Sequence, residues 1–205
     1  MRKTLKGFFV VLDGIDGCGK TLHSKALRDE LKAQGFDAVY TAEPSDGSVG
    51  KFIQGMLLKE KILPEVEALL FAADRYDHLK TEILPSFENA KVVVCDRYLH
   101  SSLAYQGAQG VDVEWIRKIN SFAIKPDIAF YLDVPPDVGL SRIKRKRSVL
   151  ESFELERKVR DMYLQLVDER ELVLVDSNRP IEEVKVDLLR LTLEAFKNPC
   201  SRTMS

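Results

Sequence analysis

The sequence predicts an α/β fold, a five-stranded parallel sheet with helices on both faces and so three layers deep. Two patterns predict it. Short, continuous apolar runs recur along the chain, separated by stretches with helical spacing. The first of these runs also leads straight into a glycine-rich turn, GIDGCGKT at 14–21, that opens a helix.

Residues 8–12 (FFVVL) are apolar throughout, which suits a central strand buried on both sides. After the glycines, Leu22, Ala26, Leu27 and Leu31 recur on one side of a helix that Gly35 stops. DAVYT at 37–41 reads as the second strand, and 48–60 as helical. Pro64 opens a longer helix to about Leu84, in which Val66, Leu69, Leu70, Ala73 and Tyr76 share a face. VVVCD at 92–96 is a third strand, and Trp115, Ile116 and Ile119 mark a helix. DIAFYLDV at 127–134 and ELVLVD at 171–176 complete the sheet, and an amphipathic helix covers 180–197. No repeat, low-complexity segment or linker interrupts this order, so 1–197 reads as one domain. The tail, NPCSRTMS at 198–205, has no periodicity and is expected to fray.

Composition narrows the function. Hydrophobic residues make up 45% and charged residues 31% of the 205, a normal globular balance. The 31 basic and 32 acidic side chains leave a net charge of -1, which argues against a general nucleic-acid or anionic-membrane binder. Cys18, Cys95 and Cys200 form an odd, sparse set without metal-ligand spacing, pointing to a reducing cytoplasm. The opening MRKTLKGFFVVLDG is basic and then apolar, but Asp13 and the glycines cut the run short, so it reads as a strand and not a signal peptide. No apolar stretch is long enough to cross a membrane.

The chemistry starts in GIDGCGKT, which fits G-x-x-x-x-G-K-[ST] with Gly14, Gly19, Lys20 and Thr21 in the fixed places. The alternative, a tight turn with an incidental lysine, leaves the strand–loop–helix context unexplained. In the phosphate-binding reading the backbone of Gly14, Ile15, Asp16, Gly17, Cys18 and Gly19 turns its N–H groups inward as an anion cradle for ATP. Lys20 reaches the β- and γ-phosphates, and the Thr21 hydroxyl binds Mg²⁺. In VVVCDRY, Asp96 falls at the carboxyl end of a strand, the place for an acid that holds Mg²⁺ directly or through water.

At this point the chain resembles the thymidylate kinases, P-loop nucleoside monophosphate kinases. The resemblance rests on GIDGCGKT, AEPSDGSVGKFI, LLFAADRYDHL, CDRYLHSSLAYQG, YLDVPPDVGLSRI and ESFELERKVRDMY, in the family's order from about residue 7 to 195. It implies Mg²⁺-dependent transfer of the ATP γ-phosphate to dTMP, a step in dTTP synthesis, and a homodimer with the 64–84 helix as an interface element. By position, it implies that Asp16 meets the acceptor's 3′-hydroxyl, Phe71 stacks on thymine and Arg75 bonds a base carbonyl. Arg97 is implied to bind the acceptor phosphate, Ser101 and Ser102 to lie beside the base, Tyr105 to crowd the sugar 2′ position, and Glu154 to lie near the sugar and metal.

Some relatives carry a basic residue inside the phosphate loop; here that place is Gly17. Others supply arginines from a lid, and SRIKRKRS at 141–148 is positioned like one, spanning about 142–151. Arg142 resembles the residue that stacks on adenine, and Arg145 and Arg147 are both candidates to reach the transferring phosphoryl. Many relatives read TREP where this chain reads TAEP, so Ala42 offers no charge to the acceptor phosphate. The rival readings are a related kinase with another acceptor, or a nucleotide-dependent switch, which has no use for a second nucleotide pocket.

Overall fold

The computed structural model describes residues 7–57, 62–89, 91–143 and 153–197. Its sheet has five strands, β1 (Phe8–Asp13), β2 (Ala38–Ala42), β3 (Val92–Asp96), β4 (Ile128–Asp133) and β5 (Val173–Asp176). They run in the order β2-β3-β1-β4-β5, and every neighbouring pair is parallel. The predicted strands therefore all form, within a residue or two. The central β1 and β3 are buried along their whole length, as their unbroken apolar runs require.

Helices α1 (Lys20–Ala33) and α9 (Ile181–Lys197) pack together on the sheet. Helices α3 (Pro64–His78), α5 (Leu99–Ala108), α6 (Val113–Ile119) and α8 (Phe153–Asp168) form a second packed group. Two shorter helices, α2 (Ser48–Leu57) and α7 (Pro136–Arg142), follow β2 and β4. Phe196 of α9 stacks on Phe8 of β1 at 3.8 Å between ring centroids, pinning the last helix to the first strand.

Two apolar faces differ from expectation. In α1 the buried side chains are Lys20, His23, Ser24, Leu27 and Leu31, while Leu22 is exposed. In α3 the predicted face is turned outward: Leu69 is 50% and Tyr76 49% exposed, with Val66 beside them. The buried side is Glu67, Ala68, Ala72, Asp74, Arg75 and His78. Periodicity identifies an apolar stripe; it does not say whether that stripe faces the core or another surface. The long helix also runs past Leu84, through a π turn (Leu79–Ile83) into α4 (Leu84–Glu88). Pro85 lacks the N–H that a regular ladder needs, and the wider turn just before it absorbs the break.

Candidate active site

The carboxyl ends of all five strands lie along one edge of the sheet, the edge at which open parallel sheets bind ligands. The loop after β1 wraps the start of α1. Lys20 Nζ is buried there and donates to the carbonyls of Gly14 (2.9 Å) and Ile15 (2.7 Å). Gly17 has φ 80, and a Cβ at that position would stand 2.0 Å from the Gly139 carbonyl oxygen of α7. No side chain fits there, so the loop itself carries no added charge. Ser177, just past β5, donates its hydroxyl to the Cys18 carbonyl at 2.8 Å and closes the loop from behind. The Cys18 thiol is buried and pushed up by that burial, the opposite of a reactive thiolate.

Thr21 Oγ1 donates to Asp96 Oδ2 at 2.5 Å. Asp96 Oδ1 is buried and has no hydrogen-bond partner among the described residues. A buried carboxylate oxygen left open beside a hydroxyl is a hard oxygen donor set, and it fits Mg²⁺.

On the other side of the phosphate loop stands Arg97, whose backbone is left-handed at φ 70. Its Nη2 donates to the Asp16 carboxylate and its Nη1 to Ser101 Oγ at 3.3 Å. The guanidinium lies 5.1 Å over the Tyr105 ring. Ser101 in turn donates to the Asp13 carboxylate and sits 3.2 Å from Tyr163 Oη. Ser101 thus braces Arg97 from behind. Burial raises the Asp13 carboxyl, but the close approach of His100, the hydrogen bond from Ser101 and the Arg97 charge outweigh it and leave it below its ordinary value.

Next to Ser101, Ser102 leads inward to Arg75, which is buried. Its Nε donates to Glu43 Oε2 at 2.9 Å, its Nη1 to Asn120 Oδ1 at 2.5 Å, and its Nη2 to the Tyr98 carbonyl and Ser102 Oγ, each at 3.1 Å. Phe71 lies one helical turn away on α3, half-buried. Of the expected pair, Arg75 touches Ser102, and Phe71 stands on the same helix four residues before it. Asp74 holds the neighbouring loop, accepting from Ser45 N (2.8 Å) and Ser45 Oγ (2.6 Å). Ala42 ends β2 opposite Asp96, and the charge its position lacks is not replaced on that strand.

His78 completes the Glu43 cluster, with Nδ1 3.3 Å from Glu43 Oε1 and Nε2 2.6 Å from Thr41 Oγ1. Burial alone would lower its pKa from 6.5, but hydrogen bonds to Glu43 and Glu82 and their charges hold it up at about 9. The folded protein therefore binds a proton there that the unfolded chain releases earlier. The stabilisation is complete below pH 6.5 and disappears as pH rises through 9. Urea unfolding should lose about 3 kcal/mol across that interval, the worth of the shift. In His78→Gln that part of the pH slope should vanish, and an unchanged slope would assign it elsewhere.

The remaining expected residues divide. Arg142 ends α7, exposed, with Nη2 3.3 Å from Asn178 Oδ1 beyond β5. Arg145 and Arg147 lie outside the described residues. Glu154 is not brought to the site: its side chain is 71% exposed and pairs with Arg157 at 3.4 Å. Two residues on, the wholly buried Glu156 faces Tyr105, with Tyr105 Oη donating to its Oε2 at 3.5 Å. Half a helical turn separates the two acids, so only one can face inward. Sequence reading missed Glu156, Asp13, His78 and Asn120. A signal existed for two of them. Asp13 ends its apolar strand just as Asp96 does, and Glu156 continues the buried spacing of Val159, Tyr163 and Leu166.

Comparison with known proteins identifies a family. A family model described as thymidylate kinase matches residues 12–188. A probable thymidylate kinase of Pyrococcus abyssi is 46% identical over 197 residues, covering 91% of this chain and 96% of the relative. One from Staphylothermus marinus is 42% identical over 193 residues, covering 92% and 96%. Another, from Methanocaldococcus jannaschii, is 42% identical over 183 residues, covering 88% and 93%.

Proposed function

The chain belongs to the thymidylate kinase family, and on that premise we propose that it transfers the γ-phosphoryl group of ATP directly to dTMP, giving dTDP and ADP. One observation carries the reading. Beside the phosphate loop lies a second polar network, in which Arg97 touches the loop residue Asp16 and Arg75 is fixed by Glu43 and Ser102. A nucleotide switch has no use for it.

The residues divide the work. Lys20 exchanges its loop carbonyls for the β- and γ-phosphates, and the loop N–H groups hold the rest of the donor. Thr21 and Asp96 would hold Mg²⁺, which neutralises charge on the phosphates when bound. Arg97 turns from Asp16 to the acceptor phosphate and frees Asp16 for the sugar 3′-hydroxyl. The acceptor phosphate is itself the nucleophile and is already ionised near neutral pH, so no strong base is required. Phe71 and Arg75 take the thymine, Tyr105 the 2′ side of the sugar, and Arg142 the adenine. Because Gly17 has no room for a side chain, the positive charge around the moving phosphoryl falls to the lid segment, with Arg145 and Arg147 its candidates.

The outward apolar stripe of α3, continued by exposed Leu63 and by Phe52 of α2, supports a homodimer formed through these helices. Two buried free thiols, Cys18 and Cys95, fit a cytoplasmic setting, and no helix among the described residues is long and apolar enough to cross a membrane.

The test is ADP release from ATP and Mg²⁺ with dTMP, dUMP, UMP, dCMP, dGMP, AMP or thymidine as acceptor. Fast turnover with dTMP, slower with dUMP, almost none with thymidine, and loss of all of it in EDTA is the expected pattern. Turnover with another acceptor and none with dTMP would overturn the assignments of Phe71, Arg75, Ser102 and Tyr105.

A further inference from the structure

Glu156 is a buried acid in the site that the roles above leave unused. It has no exposed surface, its Oε1 lacks any hydrogen-bond partner among the described residues, and its Oε2 accepts from Tyr105 Oη. Its helix is held rigidly. Arg160, one turn on, makes two 2.8 Å bonds to the Asp133 carboxylate of β4, and Tyr163 stacks on Tyr131 at 4.8 Å. Tyr105 is therefore met on two sides, by Arg97 5.1 Å over its ring and by Glu156 Oε2 3.5 Å from its hydroxyl.

We propose that Glu156 is a positioning residue for sugar discrimination, acting through Tyr105, whose ring it fixes against the 2′ side of the acceptor's sugar. This rests on the reading of that polar network as a dTMP site. A phenol ring turns about two side-chain torsions, and contact across its face leaves the tilt of the hydroxyl end free. The carboxyl removes that freedom, so an extra 2′-hydroxyl meets a wall that does not swing aside.

The same group makes the discrimination sensitive to pH. Burial first, and then the negative charge of Asp16, push the Glu156 carboxyl up to about 7 against the opposing charges of Arg97 and Lys20. Those three and Tyr105 are the charged and titratable groups that face it. A carboxylate accepts the Tyr105 proton more strongly than the neutral acid does, so the ring is held most firmly above that pH.

The experiment is the ratio of kcat/KM for dTMP to that for its 2′-hydroxyl counterpart, 5-methyluridine 5′-monophosphate, between pH 6 and 8. The ratio cancels the shared titrations of ATP, metal and acceptor phosphate. In the wild type it should rise about threefold across the interval. Glu156→Leu, which fills the space without a polar atom, should lower it by about tenfold, the worth of one hydrogen bond. Glu156→Gln, which still accepts from Tyr105 but cannot titrate, should keep most of the discrimination and lose its pH dependence. A wild-type ratio flat with pH, or an unaltered ratio in Glu156→Leu, overturns the role of Glu156 alone. Wild-type protein inactive on dTMP overturns the reading on which it rests.

Discussion

Replacing Arg97 by alanine is expected to lower kcat/KM for dTMP by about a thousandfold while leaving the fold nearly as stable as before. The size follows from the task. In phosphoryl transfer the protein mainly supplies alignment and positive charge, and loss of one arginine at the reacting phosphates costs roughly 10³-fold or more. The small effect on stability follows from the surroundings. Arg97 and Asp16 retain 22% and 31% side-chain exposure, so water can solvate Asp16 once its partner is gone. Arg97→Lys should recover little, because a point charge cannot reproduce a planar fork on a phosphate.

The backbone of Arg97 sharpens the test. A non-glycine residue at φ 70 holds about 1 kcal/mol of strain. Arg97→Gly should therefore melt at or above the temperature of Arg97→Ala although both are inactive. That result would separate a residue kept for chemistry from one kept for the fold. Activity of Arg97→Ala within tenfold of wild type would remove Arg97 from the acceptor phosphate.

How far the sequence reveals this molecule depends on the distance over which each feature is specified. The strands are legible because a buried parallel strand must be apolar at every position, as β1 and β3 are. The phosphate loop is legible because its chemistry is packed into eight consecutive residues. Phe71 and Arg75 lie one turn apart, and their shared location can be read from that spacing. Glu43 is 32 residues from Arg75, and nothing local announces that the two meet.

Helix α3 misled for the opposite reason. Its apolar stripe is real, but its polar side faces inward because Asp74, Arg75 and His78 build the floor of the site. Helix α8 went unread for a related cause: the first member of its buried stripe is the charged Glu156, so the apolar spacing looks one residue short. In both helices the misleading residues are those that equip the pocket, where local rules are most often broken.

The largest stability effect is expected at Arg75. Although the resemblance casts it as a base-binding residue, its surroundings make it a structural keystone as well. It is 1% exposed, and the Glu43 side chain that it pairs with is 2% exposed. Arg75→Leu leaves a buried carboxylate facing only His78, and strips partners from Asn120 Oδ1 and Ser102 Oγ. Breaking a buried pair from one side costs about 3–5 kcal/mol, and because the protonated His78 still faces Glu43 the loss should fall toward the lower end of that range. For a chain of this size the melting temperature should fall by roughly 10 °C. Glu43→Gln should also destabilise, since it leaves the guanidinium without its counter-charge. The double variant Glu43→Gln/Arg75→Leu should then lose at least 1 kcal/mol less than the sum of the two single losses, the coupling of groups in direct contact. A residue that only touched the base would lower dTMP affinity and leave the melting temperature where it was. Strict additivity of the two substitutions would likewise show that the contact between Glu43 and Arg75 contributes nothing, and that the pocket floor is held by Asp74 and its neighbours instead.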